Sequence, residues 1–155
     1  MTGTVAARLA EKNIVLPEPV KPLASYVPWV KTGNLLFVSG QVPFKDGGLS
    51  HTGRVGEDIS VDEGQACARI CGLNILSQVN DALDGDLDRV VRVVKLTGFV
   101  SCGAGFSDQP KVINGCSDLM AEVFGDAGRH ARAAVGAPSL PLNSSVEVEA
   151  IFEVR

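Results

Sequence analysis

Two short segments near the C-terminus hold the residues whose types and spacing speak most directly of chemistry. Arg132 stands in ARAAV (131–135), a strand-like run otherwise made of Ala and Val. A guanidinium among small residues is either an exposed strand residue or a cation displayed at the floor of a pocket. Further on, residues 145–154 alternate in type, so that Val146, Val148, Ala150, Phe152 and Val154 share one face of a strand. Glu147, Glu149, Ile151 and Glu153 share the other. In a lone monomer such carboxylates are simply solvated; beside Arg132 they fit a polar cleft better than bare sheet.

The other reactive side chains are less suggestive. The four cysteines, at 67, 71, 102 and 116, form no CxxC pair and no repeated spacing, which reads as reduced core thiols and not as a zinc knuckle or disulfide framework. Cys67 and Cys71 lie i, i+4 on a helix, and the only histidines are His51 and His130, so a Cys/His metal site would have to be assembled from distant pieces. Neither a metal nor a cofactor is expected. His51 lies in a Gly-rich loop and His130 beside Arg129; both read as solvated loop histidines.

The elements that must position these residues follow from periodicity. Residues 5–12 suit a short helix, and the prolines at 17, 19, 22 and 28 make the stretch from Asn13 to Pro28 an extended lead-in. Trp29 to Ser39 reads as a hairpin around Gly33-Asn34, both expected at positive φ. Residues 44–58 read as a Gly-rich surface loop. Ser60-Val-Asp-Glu63 has the capping-box spacing and opens a helix to Leu83, with Ala66, Cys67, Ile70, Cys71, Leu73, Ile75 and Val79 on a broad buried face. Val90 to Ser101 is β-branched and predicts a strand inside the sheet. A second helix follows Pro110 and stops near Gly125. Strands at 131–137 and 145–154, joined by a Pro138 to Pro141 corner, close the chain.

Composition narrows the partners. The chain has 155 residues, of which 45% are hydrophobic and 21% charged, the balance of one ordinary globular domain. With 14 basic and 18 acidic residues the net charge is −4, which offers a nucleic-acid backbone no general attraction. One Trp, one Tyr and six Phe supply no stacking platform interleaved with Lys or Arg. No apolar run approaches the roughly 18 residues that span a bilayer, and no signal sequence is visible. The expectation is a cytoplasmic protein with no nucleic-acid and no membrane partner.

The order of elements and several strings resemble the reactive-intermediate deaminase family, also called YjgF or endoribonuclease L-PSP. The resemblance covers residues 22–155 and rests on NLLFVSGQVP (34–43), VVKLTGFVS (93–101), Asn114 and ARAAVGAPSLPLNSSVEVEAIFEV (131–154). It implies an α+β, chorismate-mutase-like fold, with a mixed sheet and two main helices packed on one face. It further implies a homotrimer with small-molecule sites in the clefts between subunits, and one domain over 1–155 with residues 1–21 as an N-terminal extension. Family activity is hydrolysis of 2-imino or enamine acids to 2-keto acids and ammonia. By that resemblance Arg132 binds the substrate carboxylate and Glu147 positions or activates water. Tyr26, Ser39, Gly40 and the backbone of Ala134 line the pocket, and Asn114 supports it. Ala134 stands where the family often has Cys, and Ala24-Ser25 where it usually has Gly-Pro before the Tyr. Three function classes remain: an imine deaminase, a non-catalytic module binding small carboxylates, and an endoribonuclease, which the acidic charge opposes.

Overall fold

The computed structural model describes residues 3–155, so the first two residues of the 1–21 extension lie outside the described residues. In chain order the elements are α1 (Thr4–Glu11), β1 (Trp29–Thr32), β2 (Leu35–Gln41), β3 (Phe44–Lys45), β4 (Gly48–Leu49), α2 (Val61–Ala82), β5 (Val90–Ser101), α3 (Gln109–Phe124), β6 (Ala131–Ala137) and β7 (Val146–Val154). Five strands form a mixed sheet in the order β1-β2-β7-β5-β6. Only β5 and β6 run parallel, because α3 carries the chain back across the sheet between them. The fold is α+β, with α2 and α3 as the two long helices and α1 as a third, short one.

The capping box forms as its spacing predicts: the Glu63 amide donates to Ser60 Oγ at 3.1 Å and the Ser60 amide to Glu63 Oε2 at 2.8 Å. α2 and α3 lie close together because Gly115 faces the Gln65 carbonyl, into which any Cβ would collide. Their inner faces meet the sheet through Cys67, Ile75, Ile113, Leu96 and Phe152, all fully buried. Free thiols Cys71, Cys102 and Cys116 are buried in the same core.

Four details differ from the sequence reading. Gly33 takes positive φ, 59°, but Asn34 does not, so only the first position of the two-residue turn needs glycine, as in a type II′ turn. Ala66 is exposed, while the polar residues Asn74, Ser77 and Gln78 are buried. The reason is that two segments cross α2 and offer carbonyls to these side chains: the lead-in accepts from Ser77 Oγ at Pro17 and from Gln78 Nε2 at Val20, the latter at 2.7 Å, and the turn after β2 accepts from Asn74 Nδ2 at Val42 and Phe44, both at 3.0 Å. The 44–58 loop holds the small β3-β4 hairpin and drops Val55 into the core at 1% exposure.

Candidate functional site

Arg132 reaches its place through the parallel register of β6 on β5. It pairs with Leu96, which in turn pairs with Ala150, and both are buried beneath the helices. The guanidinium therefore lies on the helix face of the sheet. There Nη1 donates to Asn114 Oδ1 at 2.7 Å and to Ser117 Oγ at 3.2 Å, both on α3. These two neutral groups are its hydrogen-bond partners among the described residues, and no carboxylate pairs with it. A partly buried cation without a counter-charge favours an anion from outside.

His130 joins this cluster and is not the solvated loop residue its sequence context suggests. Its Nδ1 lies 2.7 Å from the Gly128 carbonyl and its Nε2 lies 2.9 Å from Ser117 Oγ. Burial, and secondarily the Arg132 charge, push its pKa below the usual 6.5. The signal that could have found the cluster is the i, i+3 pair Asn114 and Ser117 on α3 facing the i, i+2 pair His130 and Arg132 at the start of β6.

Glu147 occupies the opposite face. It pairs with Phe99, and Phe99 with Val135, a register displaced from the Arg132 row and pointing away from the helices. Its half-buried carboxylate lies against Gly40, where a Cβ would overlap the carboxylate oxygen. Burial, and then repulsion from Glu149, push the Glu147 pKa upward from 4.5. Ser39 and Gly40 fall at an irregularity in the pairing of β2 with β7, between Val38 and Gln41. Ser39 donates to the Val27 carbonyl at 2.7 Å, which ties the lead-in to this strand end.

Gly40 and Tyr26 share a cleft of about 410 Å³ with Pro22, Leu23, Phe44 and Leu142. Leu142 holds positive φ, 59°, and its side chain is 74% exposed. A strained, exposed Leu on a cleft wall is the kind of feature a structure keeps for contact and not for folding. A larger depression, about 620 Å³, lies between α1 and Asp86 to Asp88 and contains none of the site residues.

Ala134 sits two residues from Arg132 on the same face, with its methyl against the core. It belongs to β6, an edge strand whose outer side is unpaired in the chain. Within one chain, then, Tyr26, Ser39, Gly40 and Glu147 gather at one strand end, while Asn114, Arg132 and Ala134 gather at the α3-β6 edge. The expectation that Arg132 stands beside the carboxylate face is corrected by the register, which sets it on the other side of the sheet.

His51 is likewise tethered, with Nδ1 3.6 Å from Cys67 Sγ and Nε2 3.8 Å from Glu63. Among the described residues no three His, Cys, Asp or Glu side chains converge as a metal site would require. No helix among them is long and apolar enough to cross a membrane.

Comparison with known proteins gives the family. Protein TCP17 of Trypanosoma cruzi is 49% identical over 155 residues, covering 99% of this chain and 96% of that one. The crystal structure of Atu1372, a protein of unknown function from Agrobacterium tumefaciens, is 50% identical and superposes with a TM-score of 0.91 over 97% of this chain and 92% of that one. A "putative endoribonuclease" from Shewanella oneidensis MR-1 is 36% identical, with a TM-score of 0.93 over 98% of this chain and all (100%) of its own. The family model described as "YjgF/chorismate mutase-like, putative endoribonuclease" matches residues 6–154. With a matching fold and sequence likeness along almost its whole length, the chain belongs to the YjgF family.

Proposed function

We propose that this protein hydrolyses small 2-imino or enamine acids to 2-keto acids and ammonia, at a site built between two copies of the chain in a homotrimer. The observation that carries the reading is Arg132: a partly buried guanidinium held by two neutral side chains, without a carboxylate of its own. Such a group suits the carboxylate of a small acid, which supplies the missing charge.

The reacting end requires a base. Glu147 is half-buried, and its raised pKa brings it closer to the range in which a carboxylate accepts a proton efficiently. In the proposed step Glu147 takes a proton from water as the water oxygen bonds to C2 of the imine, and Glu147 delivers that proton to the imine nitrogen as the C=N π bond breaks. Glu147 then takes the proton of the carbinolamine hydroxyl and passes it to the amine nitrogen as the C–N bond breaks, so that ammonia leaves, C2 becomes a carbonyl and Glu147 is again a carboxylate. One water enters, one ammonia departs, and nothing is oxidised. Tyr26, Gly40 and Ser39 form the wall around the Glu147 end, and Ala134 brings its backbone to the Arg132 end.

Because Arg132 and Glu147 face opposite ways in one chain, joining them in one site requires a second chain. The Val30, Phe37 and Val135 side chains, 51%, 40% and 44% exposed, give the open face apolar surface for that contact. The same reading places the protein in the cytoplasm, where four unpaired thiols stay reduced. The endoribonuclease in the name of the Shewanella relative is opposed here by the net charge of −4.

The deciding experiment supplies a freshly generated 2-imino acid, from Thr and a pyridoxal-phosphate-dependent dehydratase, and follows ammonia and keto-acid release. Acceleration by this protein supports the reading. Binding of the keto acid without acceleration would instead make it a carboxylate-binding module.

A further inference from the structure

Four side chains at the junction of α3 and β6 form a hydrogen-bonded chain in which the direction of each bond is fixed by chemistry. The Gly128 carbonyl can only accept, so His130 Nδ1, 2.7 Å away, carries the proton. Burial, aided by the nearby Arg132 charge and opposed by the Gly128 bond, holds the imidazole pKa below 6.5, so the neutral ring predominates at pH 7. Its Nε2 is therefore an acceptor, and the Ser117 hydroxyl 2.9 Å away must donate to it. That turns a lone pair of Ser117 Oγ toward Arg132 Nη1 at 3.2 Å. The other Nη1 proton goes to Asn114 Oδ1 at 2.7 Å. Both Nη1 protons are thus committed, and no bond from Nη2 or Nε is made among the described residues.

We propose that Ser117 and His130 are positioning residues: His130 orients the Ser117 hydroxyl, and Ser117 with Asn114 engages both Nη1 protons of Arg132. The guanidinium then meets a small 2-oxo or 2-imino carboxylate side-on, through Nε and Nη2. The ligand half of this proposal rests on the carboxylate-binding role given to Arg132 above. A Ser hydroxyl on a His whose far nitrogen is anchored also has the arrangement of an activated nucleophile. Here, however, Ser117 Oγ accepts a hydrogen bond from a cation, which draws electron density from the oxygen and favours positioning. The gain is preorganisation: the fork is oriented before the ligand arrives.

The test combines two measurements on the full-length protein. Side-chain ¹⁵N spectra of the ligand-free protein are expected to show His130 as the Nδ1–H tautomer and separate Arg132 Nη1 and Nη2 signals, because rotation is hindered. Ser117→Ala should average those Nη signals. In calorimetric titration with 2-oxobutyrate, Ser117→Ala should bind about fivefold to tenfold more weakly than wild type, as loss of one hydrogen bond implies. Ser117→Thr, which keeps the hydroxyl, should stay within about twofold of wild type, and both variants should melt near the wild-type temperature.

An Nε2–H tautomer, averaged Arg132 signals in wild type, undiminished affinity in Ser117→Ala, or covalent labelling of Ser117 by a fluorophosphonate would overturn the positioning role. Failure of the underlying reading looks different. Then 2-oxobutyrate would ignore wild type, or bind Arg132→Ala equally well, while the spectra kept their expected form; that outcome overturns the ligand half of the proposal together with the carboxylate site.

Discussion

Arg132 and Glu147 lie on opposite faces of one sheet with β5 between their strands: Arg132 shares a row with Leu96 and Ala150, and Glu147 with Phe99 and Val135. No side-chain rotation brings them together, because the backbone of the sheet separates them. A site using both must take one from each of two chains, and a ring of three copies satisfies that without leaving any contact unpaired. Sedimentation equilibrium at micromolar concentration is expected to give a trimer mass. A single species at monomer mass would remove the shared site.

Gly40 is the second constraint on the site, since any side chain there would enter the space of the Glu147 carboxylate. The obstructed atoms are at the end of a flexible side chain, so the backbone need not move. Gly40→Ala is therefore expected to fold with little loss of stability, within about 1 kcal/mol. Displacing a base by an ångström is costly for chemistry, so turnover should fall by roughly 100-fold. Thermal melts and imine-hydrolysis rates measured on the same sample separate the two effects.

Glu147→Gln tests the base itself. The amide keeps the shape, so binding of 2-oxobutyrate should survive while turnover falls by about 100-fold or more. Wild-type rate should decline as pH falls through the folded pKa of Glu147, which lies above 4.5, and the variant should lack that limb. The stability sign is opposite to the usual carboxylate. A pKa raised by folding adds stability that is complete below the unfolded value and lost as pH rises through the folded value. At neutral pH the Gln variant should thus be at least as stable as wild type by denaturant titration.

What could be read beforehand divides along the range of the interactions. Strand alternation at 146–154 and the Ser60 to Glu63 cap are local, and both stand in the structure as their spacing demands. The opposition of Arg132 to Glu147 is not local: alternation assigns faces within one strand, but the register of β6 on β5 is set by how α3 packs before the chain returns. The same holds for Ser77 and Gln78, polar residues that look solvated until the lead-in is seen passing over them, and for Asn74, which meets the turn after β2. His130 and Ser117 needed that same register to become neighbours.

The thiols give a check on the core. Burial pushes the Cys67 thiol up, Cys71 well up, and Cys116 to about 12, and the thiolate is the reactive form. These three, and Cys102 on the ground of its burial alone, are expected to resist a disulfide reagent in the native protein at mildly alkaline pH and to react together after unfolding. A rapidly labelled Cys67 would show that His51, 3.6 Å away, draws its proton despite the burial.

Arg132→Lys keeps the charge and removes the geometry, which makes it the sharpest substitution at this site. A guanidinium bonds Asn114 and Ser117 through one nitrogen and still offers two donors on another edge. An ammonium has three protons at a single point; bonded to Asn114 and Ser117, it has one left and cannot form a two-point pair with a carboxylate. Losing one charge-assisted hydrogen bond in a shielded cleft costs roughly 1.5 to 3 kcal/mol, so kcat/KM should fall by about 10-fold to 150-fold. The loss should be concentrated in KM, since the carboxylate is held alike in ground and transition states. Stability should move by about 0.5 kcal/mol at most if the introduced ammonium retains one of the two neutral partners. Wild-type hydrolysis in this variant would mean that Arg132 serves only to tie β6 to α3, and would take from the site its means of holding a carboxylate.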